Sequence, residues 1–201
     1  MIISMSELIC VTNRKLCKDD FLERLKMIAD AHPAGIVLRE KDLTSQEYSA
    51  LARQAKAICD KSKTQLILHN FADAASELGA DGIHLPLTKL RKLTDKQRRD
   101  FRIIGTSCHS IEDALEAMKL GCTYIFAGHI FETDCKPGLK GRGLDFLKEV
   151  CEISEIPVYG IGGISPGNFG SVISAGAAGA CVMSGFMRCA DAADYINLFT
   201  E

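Results

Sequence analysis

The chain alternates short apolar runs with longer segments in which apolar residues recur every three or four positions. Runs of about four apolar residues favour buried β-strands, whereas the three-to-four spacing favours amphipathic helices. The helical spacing is clearest at residues 48–58 and 111–118. The predicted strands are residues 8–11, 35–38, 65–68, 82–85, 102–105, 123–126, 157–160 and 180–183.

This alternation predicts an α/β fold, a single (β/α)8 TIM barrel that spans residues 1–201 as one domain. A doubly wound dinucleotide-binding sheet is the competing architecture. It is disfavoured because the glycine-rich run at 160–163 occurs late and lacks the full Gly-x-Gly-x-x-Gly spacing. Thr44 and Ser110, each followed by an acidic residue three places on, predict helix starts. Residues 88–100 are weakly patterned and are predicted to be irregular.

Composition and charge narrow the class of protein. The chain is 47% hydrophobic and 25% charged, with a net charge of −2. The sequence has no polybasic run and no long apolar stretch, so no basic face for nucleic acid and no membrane segment is predicted. We also expect no signal peptide, because Glu7 interrupts the first hydrophobic run. We therefore expect a cytoplasmic protein without nucleic-acid or membrane partners. The composition does not decide between a monomer and a homo-oligomer. The nine cysteines include no Cys-x-x-Cys pair, which favours reduced thiols over disulfides or zinc.

Polar residues follow nearly every predicted strand, and in a parallel barrel these ends share one functional rim. Arg39 and Lys41 lie two apart, so on an extended segment both point to the same side and suit a carboxylate or phosphate. Ser107 follows the fifth predicted strand. His84 is predicted to be a hydrogen-bonded core residue, and His109 a helix-cap or surface residue.

The last two strand ends predict a phosphate site. Gly162 and Gly163 allow close backbone approach to an anion, and Ser184 and Gly185 begin the final connection. Oriented N–H groups at two such loops bind phosphate. For the glycine pair alone, a tight structural turn is the equally weighted alternative.

The most informative segment is residues 126–138. His129 directly follows a predicted strand and precedes a polar loop that carries Thr133, Cys135 and Lys136. A strand that ends in a titratable histidine and enters a polar loop is typical of α/β active sites. A satisfied core histidine is the alternative.

These segments together resemble the thiamine-phosphate synthase superfamily over essentially the whole chain. The matching segments are residues 39–41, 80–84, 105–109, 128–136, 160–164 and 182–184. The resemblance implies a phosphate-binding (β/α)8 barrel of thiamine biosynthesis, with Met183 among its substrate-binding residues.

The chain departs from the synthase pattern at positions that bear on which branch of the superfamily it resembles. A synthase of this family joins a pyrimidine diphosphate to a thiazole phosphate and holds Mg²⁺ with two aspartates. This chain has Asn70 at the first aspartate position and Lys89 at the second. A lysine repels a cation, so we expect no metal site and no cofactor.

Residues 128–136 resemble the sister branch, the TenI-type thiazole tautomerase, whose catalytic histidine falls on His129. This enzyme isomerises a thiazole carboxylate phosphate to its aromatic tautomer, and histidine can transfer the proton near neutral pH. For this reaction we expect Arg39, Lys41 and Lys136 to hold the anionic substrate, while Ser107 and Thr133 position it by hydrogen bonds. Two alternatives stay open, a thiamine-phosphate synthase with a degenerate metal site and a non-catalytic regulatory protein that binds thiazole or thiamine phosphate.

Overall fold

A closed barrel of parallel strands forms the centre of the molecule. The computed structural model describes residues 7–133 and 138–199, so Cys135 and Lys136 lie outside the described residues. Each strand pairs with the next in chain order, and β8 pairs with β1 to close the barrel. The predicted (β/α)8 barrel is confirmed.

Strands and helices alternate along the chain. The strands are β1 (Glu7–Val11), β2 (Gly35–Leu38), β3 (Leu66–His69), β4 (Gly82–Pro86), β5 (Ile103–Cys108), β6 (Tyr124–Gly128), β7 (Val158–Ile161) and β8 (Gly179–Val182). The helices are α1 (Phe21–Asp30), α2 (Ser45–Ser62), α3 (Ala72–Glu77), α4 (Leu87–Leu90), α5 (Asp95–Asp100), α6 (Ile111–Lys119), α7 (Gly143–Ile153), α8 (Pro166–Ser174), α9 (Ser184–Arg188) and α10 (Ala192–Asn197). A 3-10 turn, Arg14–Leu16, follows β1.

Every predicted strand overlaps an observed one, with two corrections to the sequence prediction. Strand β5 continues to Cys108, so Ser107 lies within the strand and does not follow it. Residues 88–100 are not irregular throughout, because α5 and the end of α4 lie there. Thr94 begins α5 with a capping box to Gln97, the same local hydrogen-bond pattern that starts α2 at Thr44.

The strand residues divide between two cores. Leu8 and Cys10 pack with the helices, whereas Ile9 and Val11 belong to a cluster made from strand residues alone. Because side chains alternate along a strand, this second cluster fills the barrel interior. Its members are Ile9, Val11, Val37, Ile67, Tyr124, Phe126, Tyr159 and Cys181.

Two further expectations concern membrane spans and cysteines. No helix in the described part of the chain is long and apolar enough to cross a membrane. The cysteines of the two described segments are free thiols. Burial raises the pKa of the Cys108 thiol to about 12, so this cysteine is unsuited to act as a nucleophile.

Candidate active site

A cavity of about 520 Å³ opens at the carboxyl ends of the strands. This is the rim on which (β/α)8 enzymes carry their chemistry. The predicted residues that line it are Arg39, Lys41, Ser107, His129, Thr133, Gly162, Gly163, Met183 and Ser184. Gly185 does not line it, and Lys136 lies outside the described residues.

Backbone hydrogen bonds from both sides hold the segment that carries His129. The Arg142 N–H donates to the His129 carbonyl at 2.9 Å, and the Ile130 N–H donates to the Ile161 carbonyl at 2.9 Å. The Arg142 side chain also donates through Nε to the Gly128 carbonyl at 3.1 Å. Residue 128 must be glycine, since a Cβ there would lie 2.6 Å from the Ile161 side chain. These bonds therefore fix the backbone of His129 at the cavity wall.

The His129 ring has two unequal nitrogens. Nε2 lies 3.2 Å from the Leu139 carbonyl oxygen. Because a carbonyl only accepts, Nε2 carries the proton and Nδ1 of the neutral ring holds a lone pair. Nδ1 is shielded from solvent and has no hydrogen-bond partner among the described residues. The Nδ1 lone pair of His129 can therefore act as a base, because no hydrogen-bond donor in the described residues occupies it.

The glycines after β7 have a structural role of their own. Gly162 and Gly163 have φ values of +100° and +67°, where side chains are strained. A Cβ on Gly162 would lie 2.8 Å from the His129 Cα, and one on Gly163 would lie 2.7 Å from the Phe131 Cβ. Both glycines therefore allow the loop after β7 to pack against the loop that carries His129.

The segment after β8 lines the cavity with two of the three residues predicted there, and Gly185 is the exception. Met183 and Ser184 line the cavity where α9 begins. Gly185 instead leaves room for the Tyr195 hydroxyl, which a Cβ would overlap. Its missing side chain serves helix packing.

The cationic side of the cavity is built on the segment after β2. Arg39 and Lys41 both line the cavity, whereas Glu40 is buried on the opposite side. The Glu40 carboxylate accepts from the Thr12 hydroxyl at 2.7 Å and from the Arg14 backbone and guanidinium at 3.1 Å. Glu40 therefore anchors this segment and does not neutralise the cavity.

Two buried histidines form part of the inner wall. His69 and His84 are partners in the register of β3 and β4, and their rings lie 5.8 Å apart. Burial lowers the pKa of His69 to about 3, with smaller contributions from Arg39 and Lys41. Burial also lowers the pKa of His84 well below its usual value. Both rings are neutral near pH 7.

Sequence reasoning missed several cavity residues. His84 is hydrogen-bonded as predicted but also lines the cavity, and His109 lines it instead of the outer surface. Asp113 lines it as well, because α6 begins at the rim, and its carboxylate accepts from the His109 N–H at 2.8 Å. The Ser110 helix-start signal could have placed Asp113 there.

The positions that would hold Mg²⁺ in the synthase pattern do not fit a cation. The Lys89 ammonium donates to the Asn70 carbonyl at 3.1 Å and lies 5.6 Å from the Phe71 ring centroid. A fixed positive charge thus occupies the place of a carboxylate. Within residues 7–133 and 138–199, no three His, Cys, Asp or Glu side chains are grouped to bind a metal.

Comparison with known proteins identifies the family. The family model described as thiamine monophosphate synthase matches residues 8–186. The chain belongs to the thiamine monophosphate synthase family. Its relatives include the thiamine-phosphate synthase of Clostridium acetobutylicum, 38% identical over 90% of this chain and 87% of that protein. The putative thiamine-phosphate synthase 2 of Aquifex aeolicus is 37% identical over 81% of this chain and 88% of that protein.

A solved structure extends the likeness to the whole fold. The thiamine phosphate pyrophosphorylase from Pyrococcus furiosus matches with a TM-score of 0.82 and 25% identity, covering 99% of this chain and 96% of that one. Membership of this family places the chain among enzymes of thiamine biosynthesis.

Proposed function

We propose that this family member is a thiazole tautomerase, which isomerises a thiazole carboxylate phosphate to its aromatic form. The observation that carries the proposal is the His129 ring, whose Nε2–H is held by the Leu139 carbonyl while Nδ1 has no partner in the described part of the chain. A base held in one tautomer at a cavity wall suits the transfer of one proton.

The reaction needs a proton to leave the ring carbon that bears the carboxylate and another to reach the exocyclic carbon. His129 Nδ1 accepts the first proton, and the resulting imidazolium returns a proton to the second carbon, so the net charge is unchanged. Formation of the aromatic ring drives the reaction. Because Nδ1 is enclosed in the ligand-free protein, we expect the ring to turn toward the cavity when substrate enters.

The charges around the cavity support an anionic substrate. Arg39 and Lys41 supply positive charge after β2, and the loops at Gly162–Gly163 and Ser184 line the cavity after β7 and β8. We assign the carboxylate to the cations and the phosphate to the loops. We also assign Lys136 to the anionic substrate, while Thr133 positions it, and Gly185 has no part in this assignment because it does not line the cavity.

Thiamine-phosphate synthase is the second candidate, and the names of the relatives favour it over the tautomerase. The side chains of this protein oppose that reaction, because Lys89 and Asn70 replace the carboxylates of the Mg²⁺ site in the synthase pattern. We therefore place the isomerisation first.

A paired assay separates the two candidates. The first assay gives the purified protein the non-aromatic thiazole carboxylate phosphate and measures isomerisation. The second gives it the pyrimidine diphosphate together with thiazole phosphate and measures thiamine phosphate. Each assay is run once with Mg²⁺ and once with EDTA. We expect isomerisation at equal rates in both conditions and no thiamine phosphate. Mg²⁺-dependent thiamine phosphate without isomerisation would establish the synthase. Binding without either reaction would establish the non-catalytic alternative.

A further inference from the structure

A chain of polar side chains crosses the barrel interior below the cavity. The His84 Nδ1 lies 2.8 Å from the Tyr124 hydroxyl, and the His84 Nε2 lies 2.9 Å from the Ser107 hydroxyl. Tyr124 and His84 are buried, whereas Ser107 is half-buried and borders the cavity. The chain of hydrogen bonds therefore runs from the barrel interior to the cavity.

A glycine makes this arrangement sterically possible. His84, Gly105 and Tyr124 are consecutive partners across β4, β5 and β6. A Cβ on Gly105 would overlap the Tyr124 ring, so the absent side chain is the slot through which Tyr124 reaches across β5 to His84. Three strands thus cooperate to place one hydroxyl against one imidazole.

The direction of each hydrogen bond in this chain follows from the protonation of Tyr124, the residue at its buried end. Burial raises the pKa of Tyr124 well above its usual value, so the phenol keeps its proton and must donate it. Its acceptor among the described residues is the His84 Nδ1. Since His84 is neutral, Nε2 then carries the ring proton and donates to the Ser107 oxygen.

We infer that Tyr124 and His84 are positioning residues that make the Ser107 hydroxyl a hydrogen-bond donor toward the ligand. Ser107 accepts from His84, and its own proton has no acceptor among the described side chains other than a ring nitrogen that already bears hydrogen. The site therefore selects a ligand that presents an acceptor here, such as a carboxylate oxygen or an unprotonated ring nitrogen. A ligand that presents an N–H or O–H can reach only the remaining lone pair of the Ser107 oxygen, which leaves the Ser107 proton without an acceptor, and such a ligand is disfavoured.

The first test needs no ligand and no activity. Nitrogen-15 NMR of the histidine-labelled protein distinguishes the two neutral tautomers. We expect His84 of the wild type to carry its proton on Nε2, and Tyr124→Phe to release this preference or reverse it. Tyr159→Phe, which removes a hydroxyl from the same interior cluster, should leave the His84 signals in the wild-type tautomer. A proton on Nδ1 in the wild type would overturn the inference.

The second test measures ligand binding and rests on the proposed function for its probe, the aromatic thiazole carboxylate phosphate. Ser107→Ala should weaken binding about tenfold or more if the acceptor is charged. Tyr124→Phe should weaken it less, because Ser107 remains but is no longer held as a donor. Equal binding by wild type and Ser107→Ala would overturn the inference. Failure of the wild type to bind any thiazole phosphate, with His84 protonated on Nε2, would overturn the proposed function while the positioning role stands.

Discussion

Gly163 shows how one residue can serve the fold and the site together. Its φ of +67° and its contact with the loop after β6 both exclude a side chain. We predict that Gly163→Ala lowers the free energy of unfolding by more than about 1 kcal/mol, because strain and overlap add. The measurement is urea unfolding of the variant and the wild type without ligand.

Gly167 is the matched control for that substitution. It lies in α8 without a positive φ, and a Cβ added there would meet no atom within 4 Å. Gly167→Ala should be neutral or stabilising by up to about 1 kcal/mol, the difference in helix propensity. An equal change in the two variants would contradict the claim that Gly163 has a specific role in loop packing.

Glu40 is the residue on which the cationic side of the cavity depends for its shape. Glu40→Gln removes the charge but keeps the size, and Arg14 and Thr12 then lose a strong acceptor. We predict a loss of about 1–3 kcal/mol in unfolding free energy, the scale for hydrogen bonds to a buried charged group. Asp42→Asn, which removes the exposed partner of the same Arg14, should cost clearly less. The reverse order would contradict the assignment.

The sequence predicts some site residues better than others for a physical reason. Arg39, Lys41 and His129 follow strands directly, so the barrel topology alone places them at the rim. The bonds of His84 to Tyr124 and Ser107 join residues 40 and 23 positions apart, and no local pattern encodes them. Likewise, the packing role of Gly185 depends on Tyr195 in another helix.

Among the elements, the strands were predictable because each is a compact apolar run bounded by polar residues. Segment 88–100 was not, because α4 and α5 have four and six residues, too few to repeat an apolar face. The end of β5 was also missed. Thr106 and Ser107 have the polar character of rim residues, although their backbones continue the ladder with Ile125 and Phe126.

Strand β3 makes the protein sensitive to acid. The pKa of His69 is about 3 in the folded protein and near 6.5 in an unfolded chain, so the unfolded chain binds the extra proton between these values. Stability should therefore fall as the pH falls through this window, by up to about 1.4 kcal/mol per pH unit for this group. Unfolding of His69→Gln should show a shallower dependence from pH 6 to pH 4.

The interval from pH 7 to pH 8 supplies the internal control. There His69 is mostly neutral in both states, so the difference between variant and wild type should change little with pH. If the two proteins show parallel curves down to pH 4, His69 does not titrate on unfolding and the burial argument fails.

At the scale of the whole molecule, the barrel divides the tasks of the site among different strands. Cations follow β2, the polar chain to Ser107 crosses β4 to β6, His129 directly follows β6, and the glycine loop follows β7. The family was recognisable from the sequence because these segments occur in fixed order. The reaction is harder to assign, since one barrel can host several chemistries and only a few rim residues differ.

The central claim is that His129 transfers the proton. His129→Gln places an amide donor near the Nε2 position, so the contact with the Leu139 carbonyl can persist while the base is lost. His109→Gln serves as the control, because His109 directly follows β5 and also lines the cavity. The measurement is kcat for isomerisation of the non-aromatic thiazole carboxylate phosphate, together with Kd for the aromatic product. We predict that His129→Gln lowers kcat by about 10² to 10⁴ with little change in Kd, whereas His109→Gln has a much smaller effect on kcat. A near-normal kcat in His129→Gln would contradict the account.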